Sequence, residues 1–138
     1  MNKLSMLDTN MVSYILKGKS PAARARISSL WPGEGLCISA VTEAELRYGI
    51  AKSGIGEQRQ KLLDWFLLMV TVHPWGRDEA AAYGKLRAKQ EAMGKTLGAL
   101  DMLIAAHAVA LGAVLVTNDN AFHQVSDLIG VENWATDL

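Results

Sequence analysis

Four acids stand where apolar runs end or helical ones begin: Asp8 in Met-Leu-Asp-Thr-Asn, Glu45 in Val-Thr-Glu-Ala-Glu-Leu, Asp101 in Gly-Ala-Leu-Asp-Met-Leu-Ile, and Asp119 in Val-Thr-Asn-Asp-Asn. Carboxylate oxygens without paired His or Cys neighbours suit hard cations such as Mg²⁺ or Mn²⁺, which keep several waters and bridge to phosphates. Gathered at one place, these acids would serve phosphoryl transfer or phosphodiester hydrolysis. Each also has a structural reading. Asp8 can cap the helix after it. Glu45 stands three residues after Thr42, the capping-box spacing. Asp101 falls in a first helical turn, where the macrodipole favours an acid, and Asp119 lies in ordinary turn chemistry. His73, His107 and His123 lack zinc-pair spacing. His107 sits about 240° around its helix from Asp101, which reads as packing or surface. No glycine-rich phosphate cradle follows the first strand, so nucleotide cofactors are disfavoured.

The elements that would position these acids follow from periodicity and punctuation. Leu4 to Leu7 reads as a strand, and Thr9-Asn10 offers oxygens to cap a short helix through Lys17, before Gly18. Ser20-Pro21 opens a helix toward Trp31, stopped by Pro32-Gly33. Leu36 to Ala40 is a second strand, followed by a helix over Thr42 to Lys52. After Gly54 and Gly56 comes an amphipathic helix with Leu62, Leu63, Phe66 and Leu67 on one stripe. Val70 to Val72 is a third strand. Asp78 caps an Ala-rich helix to Met93, and Leu100 to Leu111 is the most apolar helix, closed by Gly112. Ala113 to Val116 is a fourth strand, with a short helix near Ala121 and an edge strand over Val131 to Trp134. Strands alternating with helices predict a parallel sheet covered on both faces, and in such sheets ligands collect beyond the strands' carboxyl ends. Asp8 and Asp119 both fall there.

The 138 residues are half apolar, which predicts one domain, 1–138, with a substantial core. Fourteen basic and 14 acidic residues balance, so no global basic field advertises nucleic acid, and a polyanion would be held by local patches or by metal. Lys17, Lys19, Arg24 and Arg26 form one basic group and Lys85, Arg87, Lys89 and Lys95 another; either could line an RNA path, though solvated helix faces are the default. Arg47 and Tyr48 could reach the mouth that Glu45 faces. Trp31, Trp65, Trp75 and Trp134 read as core or interface anchors. Cys37, the one cysteine, reads as a small buried hydrophobe. No leader or membrane-length apolar run stands out, which predicts a cytoplasmic protein without membrane contact.

Met6-Leu7-Asp8-Thr9-Asn10, the run Ile38 to Gly49, and above all Gly98 to Ala108 resemble successive motifs of the PIN-domain ribonucleases, in particular the VapC-type toxins of bacterial toxin–antitoxin pairs. Leu115 to Asp119 with Phe122, and Val131 to Trp134, resemble that family's closing segment. The resemblance implies a three-layer α/β/α PIN domain around a central parallel sheet and a metal-dependent endoribonuclease that inhibits growth, with tRNA or ribosomal RNA loops as targets. It implies Asp8, Glu45 and Asp101 as the main metal-site acids, Asp119 as a more variable fourth, and support from Thr9, Asn10, Thr117 and Asn118. Mg²⁺ or Mn²⁺ would be the cofactor. A VapB-type antitoxin, an RNA substrate and a second toxin copy would be the partners. Where many relatives have a Pro-Gly turn, this chain has Ser126-Asp127. Two other readings stand beside this one: a non-catalytic RNA-binding or scaffold domain whose acids only cap helices, and a haloacid-dehalogenase-type phosphatase. The latter needs an acid two residues after Asp8, where this chain has Asn10, which cannot donate an acidic proton.

Overall fold

A computed structural model describes residues 3–30 and 35–138. The elements run β1 (Ser5–Leu7), α1 (Thr9–Leu16), α2 (Pro21–Ser28), β2 (Leu36–Ser39), α3 (Ala40–Lys52), α4 (Gly56–Leu67), β3 (Thr71–His73), α5 (Arg77–Ala92), α6 (Ala99–Leu111), β4 (Val114–Val116) and β5 (Val131–Glu132), with a 3-10 turn over Asn120–Val125. All strand pairs are parallel, in the order β3-β2-β1-β4-β5.

Period-two alternation sends neighbouring strand residues to opposite faces. Leu7, Ile38 and Val116 join one apolar layer with Met11, Val12 and Ile15 of α1, Ile27 of α2, Leu46 of α3, and Leu63 and Phe66 of α4. Met6, Cys37 and Leu115 join the other, with Leu86 of α5, Met102, Ile104 and Ala105 of α6, and Phe122. The sheet is thus covered on both faces, as the unbroken apolar strands require. Cys37 is buried, as its apolar surroundings predict.

Several local expectations shift. Asp8, not Thr9-Asn10, caps α1, since Thr9 already lies in the helix. Ala40 belongs to α3 rather than β2, and Ser39 caps that helix through its side chain. β3 lies one residue later than Val70 to Val72, on an edge where burial is incomplete and the apolar signal weak. Asp78 does not cap α5: the helix begins at Arg77 after Gly76, and Glu79 Oε1 accepts from Gly76 N at 2.7 Å. Leu62, expected on the buried stripe of α4, is exposed. The expected stop of α2 at Trp31 and Pro32-Gly33 lies outside the described residues.

Candidate active site

β1 lies between β2 and β4, so chain leaving its carboxyl end enters the crevice where a parallel sheet changes direction. Asp8 is the first residue past that end. Its main-chain N–H donates to Val116 O at 3.0 Å, Oδ1 accepts from Met11 N at 2.8 Å, and Oδ2 accepts from Thr117 Oγ1 at 2.5 Å. One buried side chain thus caps α1 and stands at the carboxyl end of β1. Thr117, past the end of β4, also accepts from Asp119 N at 2.9 Å, which ties the turn bearing Asp119 to Asp8. Asp119 is exposed and caps the 3-10 turn, accepting from Ala121 N.

Glu45 arrives on the second turn of α3. The expected capping box with Thr42 is absent because the helix starts at Ala40; instead Glu45 Oε1 accepts from Thr9 Oγ1 at 2.6 Å. Thr42, fully buried and read from the sequence only as a cap, lies 3.4 Å from the same Thr9 hydroxyl. Asp101 is half-buried in the first turn of α6, where the macrodipole favours it and the N-cap, Gly98, provides no side chain. Asn10 is exposed beside Thr9 and Glu45 on the wall of an adjoining groove. Asn118 donates to Ala135 O at 3.4 Å, which ties the end of β4 to the C-terminal segment.

The acids act on one another electrostatically. Burial, above all, pushes Asp8 up from 3.8 to about 6; the bonds from Thr117 and Met11 oppose this, while the charges of Asp101 and Asp119 add to it. Asp101 is also raised, by burial and then by Asp119 and Glu45. Among the described residues no three Asp, Glu, His or Cys side chains close to coordination distance. Coulomb repulsion reaches farther than coordination does, so both observations hold together. An all-oxygen donor set under mutual repulsion, with one acid held by two hydrogen bonds, fits a hard divalent cation.

Beside Glu45 opens a groove of about 390 Å³ between α1, α3 and α4, lined by Leu16, Leu46, Ile50, Ile55 and Leu62, with Lys17 and Arg59 among its polar residues. Arg47 and Tyr48 line another part of α3. The arginine pairs with Glu43 at 2.7 Å, and the exposed ring packs under Lys52. Some of the basic groups serve the fold: Arg24 donates to Ile15 O, Arg26 stacks on Trp134, Arg87 pairs with Glu91, and Lys89 with Asp127. Trp134 is buried and Trp75 donates to Leu103 O, whereas Trp65 is more than half exposed on α4. His107 is fully buried, with Nδ1 2.8 Å from Ser39 Oγ, which excludes a surface role.

Residues 5–128 match the PIN domain family. The chain belongs to that family. Ribonuclease VapC2 of Rickettsia felis is 37% identical over 130 residues, covering 94% of this chain and 96% of that protein. The tRNA(fMet)-specific endonuclease VapC of Shigella flexneri is 34% identical over 131 residues, covering 94% and 97%. The crystal structure of VapBC2 from Rickettsia felis, bound to a DNA fragment from their promoter, superposes with a TM-score of 0.88 at 36% identity, over 95% of this chain and 98% of that one. Within the PIN family the chain is thus of VapC type, and VapC nucleases of this fold generally depend on a divalent metal. Among the described residues no helix is long and apolar enough to cross a membrane.

Proposed function

We propose that this PIN domain, spanning residues 1–138, is a VapC-type endoribonuclease toxin that acts in the cytoplasm, cuts RNA phosphodiesters with Mg²⁺ or Mn²⁺, and is restrained by a VapB-type antitoxin. The observation that supports this reading is the seating of Asp8 just past the carboxyl end of the central strand β1, held by Thr117 and Met11, with the charges of Asp101 and Asp119 near enough to raise it and those of Asp119 and Glu45 near enough to raise Asp101. Asp8 and Asp101 would hold the metal, and Glu45 and Asp119 would complete or orient its surroundings. When bound, the metal supplies Lewis acidity toward water and the scissile phosphate. Thr117 keeps one Asp8 oxygen fixed and Thr9 aims Glu45, so neither carboxylate has to reorganise during the reaction. Water is the nucleophile in this reading, and products carry 5′-phosphate and 3′-hydroxyl ends.

The Shigella flexneri relative is named for tRNA(fMet), so structured RNA, initiator tRNA first and ribosomal RNA loops second, is the substrate class to test. The apolar groove beside Glu45 suits an amphipathic antitoxin segment. An arginine at its end would match the acidic mouth with a planar fork of donors. A second copy of the toxin pairs through another helical face. The deciding experiment incubates purified protein with total RNA, with and without EDTA, and maps the fragment ends. Cleavage that needs Mg²⁺ or Mn²⁺ and leaves 5′-phosphates is expected. Cleavage indifferent to EDTA, or 2′,3′-cyclic phosphate ends, would reject the mechanism, and intact RNA under all conditions would favour a binding or scaffold role.

A further inference from the structure

Hydrogen bonds link three of the four acids. Thr9 holds Glu45, Thr117 holds Asp8, and the main-chain N–H of Asp119 donates to that same Thr117 hydroxyl. Asp101 has no such tie among the described residues, and only burial and neighbouring charges act on it. Its placement therefore depends on how α6 as a whole is set against the elements that carry the other acids.

Among the described residues two side-chain hydrogen bonds reach α6: Trp75 donates to Leu103 O, and a second, buried contact ties α6 to the start of α3. Ser39 ends β2 and caps α3, its Oγ accepting from Val41 N at 3.0 Å. The same oxygen is 2.8 Å from Nδ1 of His107, in mid-α6. Both side chains are fully buried. Ser39 stands six residues before Glu45 and His107 six after Asp101, so the bond spans the two helices that deliver these acids. The second imidazole nitrogen, Nε2, has no hydrogen-bond partner among the described residues. The contact is a hydrogen bond in either tautomer: Nδ1–H donates to Ser39 Oγ, or the Ser39 hydroxyl donates to Nδ1. His73, paired with Ser39 across the β2–β3 ladder, packs edge-on against the imidazole at 6.3 Å and limits its tilt.

We propose that His107 is a positioning residue: its bond to Ser39 fixes α6 against the start of α3, so that Asp101 meets the metal together with Glu45. This rests on the metal-site reading above. The bond is used at a distance, and a displacement of an ångström at a reacting centre can cost roughly 100-fold in rate.

The test compares the parent with His107→Leu, which keeps bulk without the bond, and His107→Asn, whose amide can donate or accept at the place of Nδ1. Asp101→Asn is the site control. Mn²⁺ affinity is measured by calorimetry without RNA, cleavage at saturating RNA, and folding by circular dichroism. His107→Leu should bind Mn²⁺ about 10-fold more weakly and cleave about 10- to 100-fold more slowly, with KM for RNA within about two-fold, and His107→Asn should recover most of both losses. A His107→Leu protein with the parent's affinity and rate, whatever its melting temperature, overturns the proposal, as does a His107→Asn protein equally impaired. If His107→Leu fails to fold, His107→Phe, which keeps a ring against His73 but cannot bond to Ser39, carries the same expectation. If Asp101→Asn keeps both metal binding and cleavage, the metal-site reading falls and takes this inference with it. If Asp101→Asn loses both while His107→Leu loses neither, only the positioning role falls.

Discussion

The Asp8 carboxyl, pushed up from 3.8 to about 6 chiefly by burial, makes metal-free stability depend on pH. The folded state holds this proton more tightly than the unfolded chain does, so the stabilising effect is fully present below about pH 4 and is lost as pH rises through about 6. The difference is on the order of 3 kcal/mol at neutral pH. Asp8→Asn removes the buried charge, and its amide can still accept from Met11 and meet Thr117. In EDTA at pH 7.5 this variant should melt several degrees above the parent, and scanning calorimetry from pH 4 to 8 should show a flatter profile for it. A variant that melts lower would mean that the Thr117 bond to the ionised carboxylate outweighs the burial penalty. Asp101→Asn should abolish cleavage with an unchanged circular dichroism spectrum, and near-parental cleavage would remove Asp101 from the site. All four acids were legible as candidates through their combination, since each alone also fits a cap, a capping box, the helix dipole or a turn. Glu45's partner was not: the Thr42 spacing fits a capping box, and only the helix start at Ala40 reveals that Thr9 takes that place. His107 was misleading for a related reason, since a single polar residue in an apolar helix does not announce which buried hydroxyl it meets.

At the scale of elements, the register of β1 on β2 depends on Gly35. Its φ of +66° is left-handed, and a Cβ there would collide with the carbonyl oxygen of Lys3, while its own carbonyl accepts from Ser5 N. Gly35→Ala should cost about 3 kcal/mol in urea unfolding, from strain and from displacement of β1. A loss below about 1 kcal/mol would show that the strand end relaxes freely. The apolar runs made β1, β2 and β4 plain in the sequence, because central parallel strands are buried on both faces. Helix starts were less plain. Gly76 precedes α5 with no side chain to signal it, and Asp78 reads as the cap until the bond that Gly76 N donates to Glu79 is seen.

For the whole molecule, metal binding should act as a global clamp, because the proposed ligands come from the ends of β1 and β4 and from α3 and α6. Mn²⁺ at about 100 times its Kd should add about 2.7 kcal/mol of stability, and EDTA should remove it. The same titration on Asp8→Asn should show little gain, and an equal gain would place the cation elsewhere. Parallel topology was readable from the alternation of strands and helices, but the strand order was not, since short strands of similar composition do not encode their neighbours. That order has a consequence during synthesis. The hydroxyl that fixes Asp8 lies 109 residues later in the chain, just past the end of the strand beside β1. At roughly 5–20 residues per second, a ribosome takes roughly 5–20 s to supply it. Until then the nascent chain has one acid of the site without the strand that seats it, and Asp119 has yet to be translated. A site of this design is therefore assembled only after the segment bearing Thr117 and Asp119 has been made, however early its first acid appears.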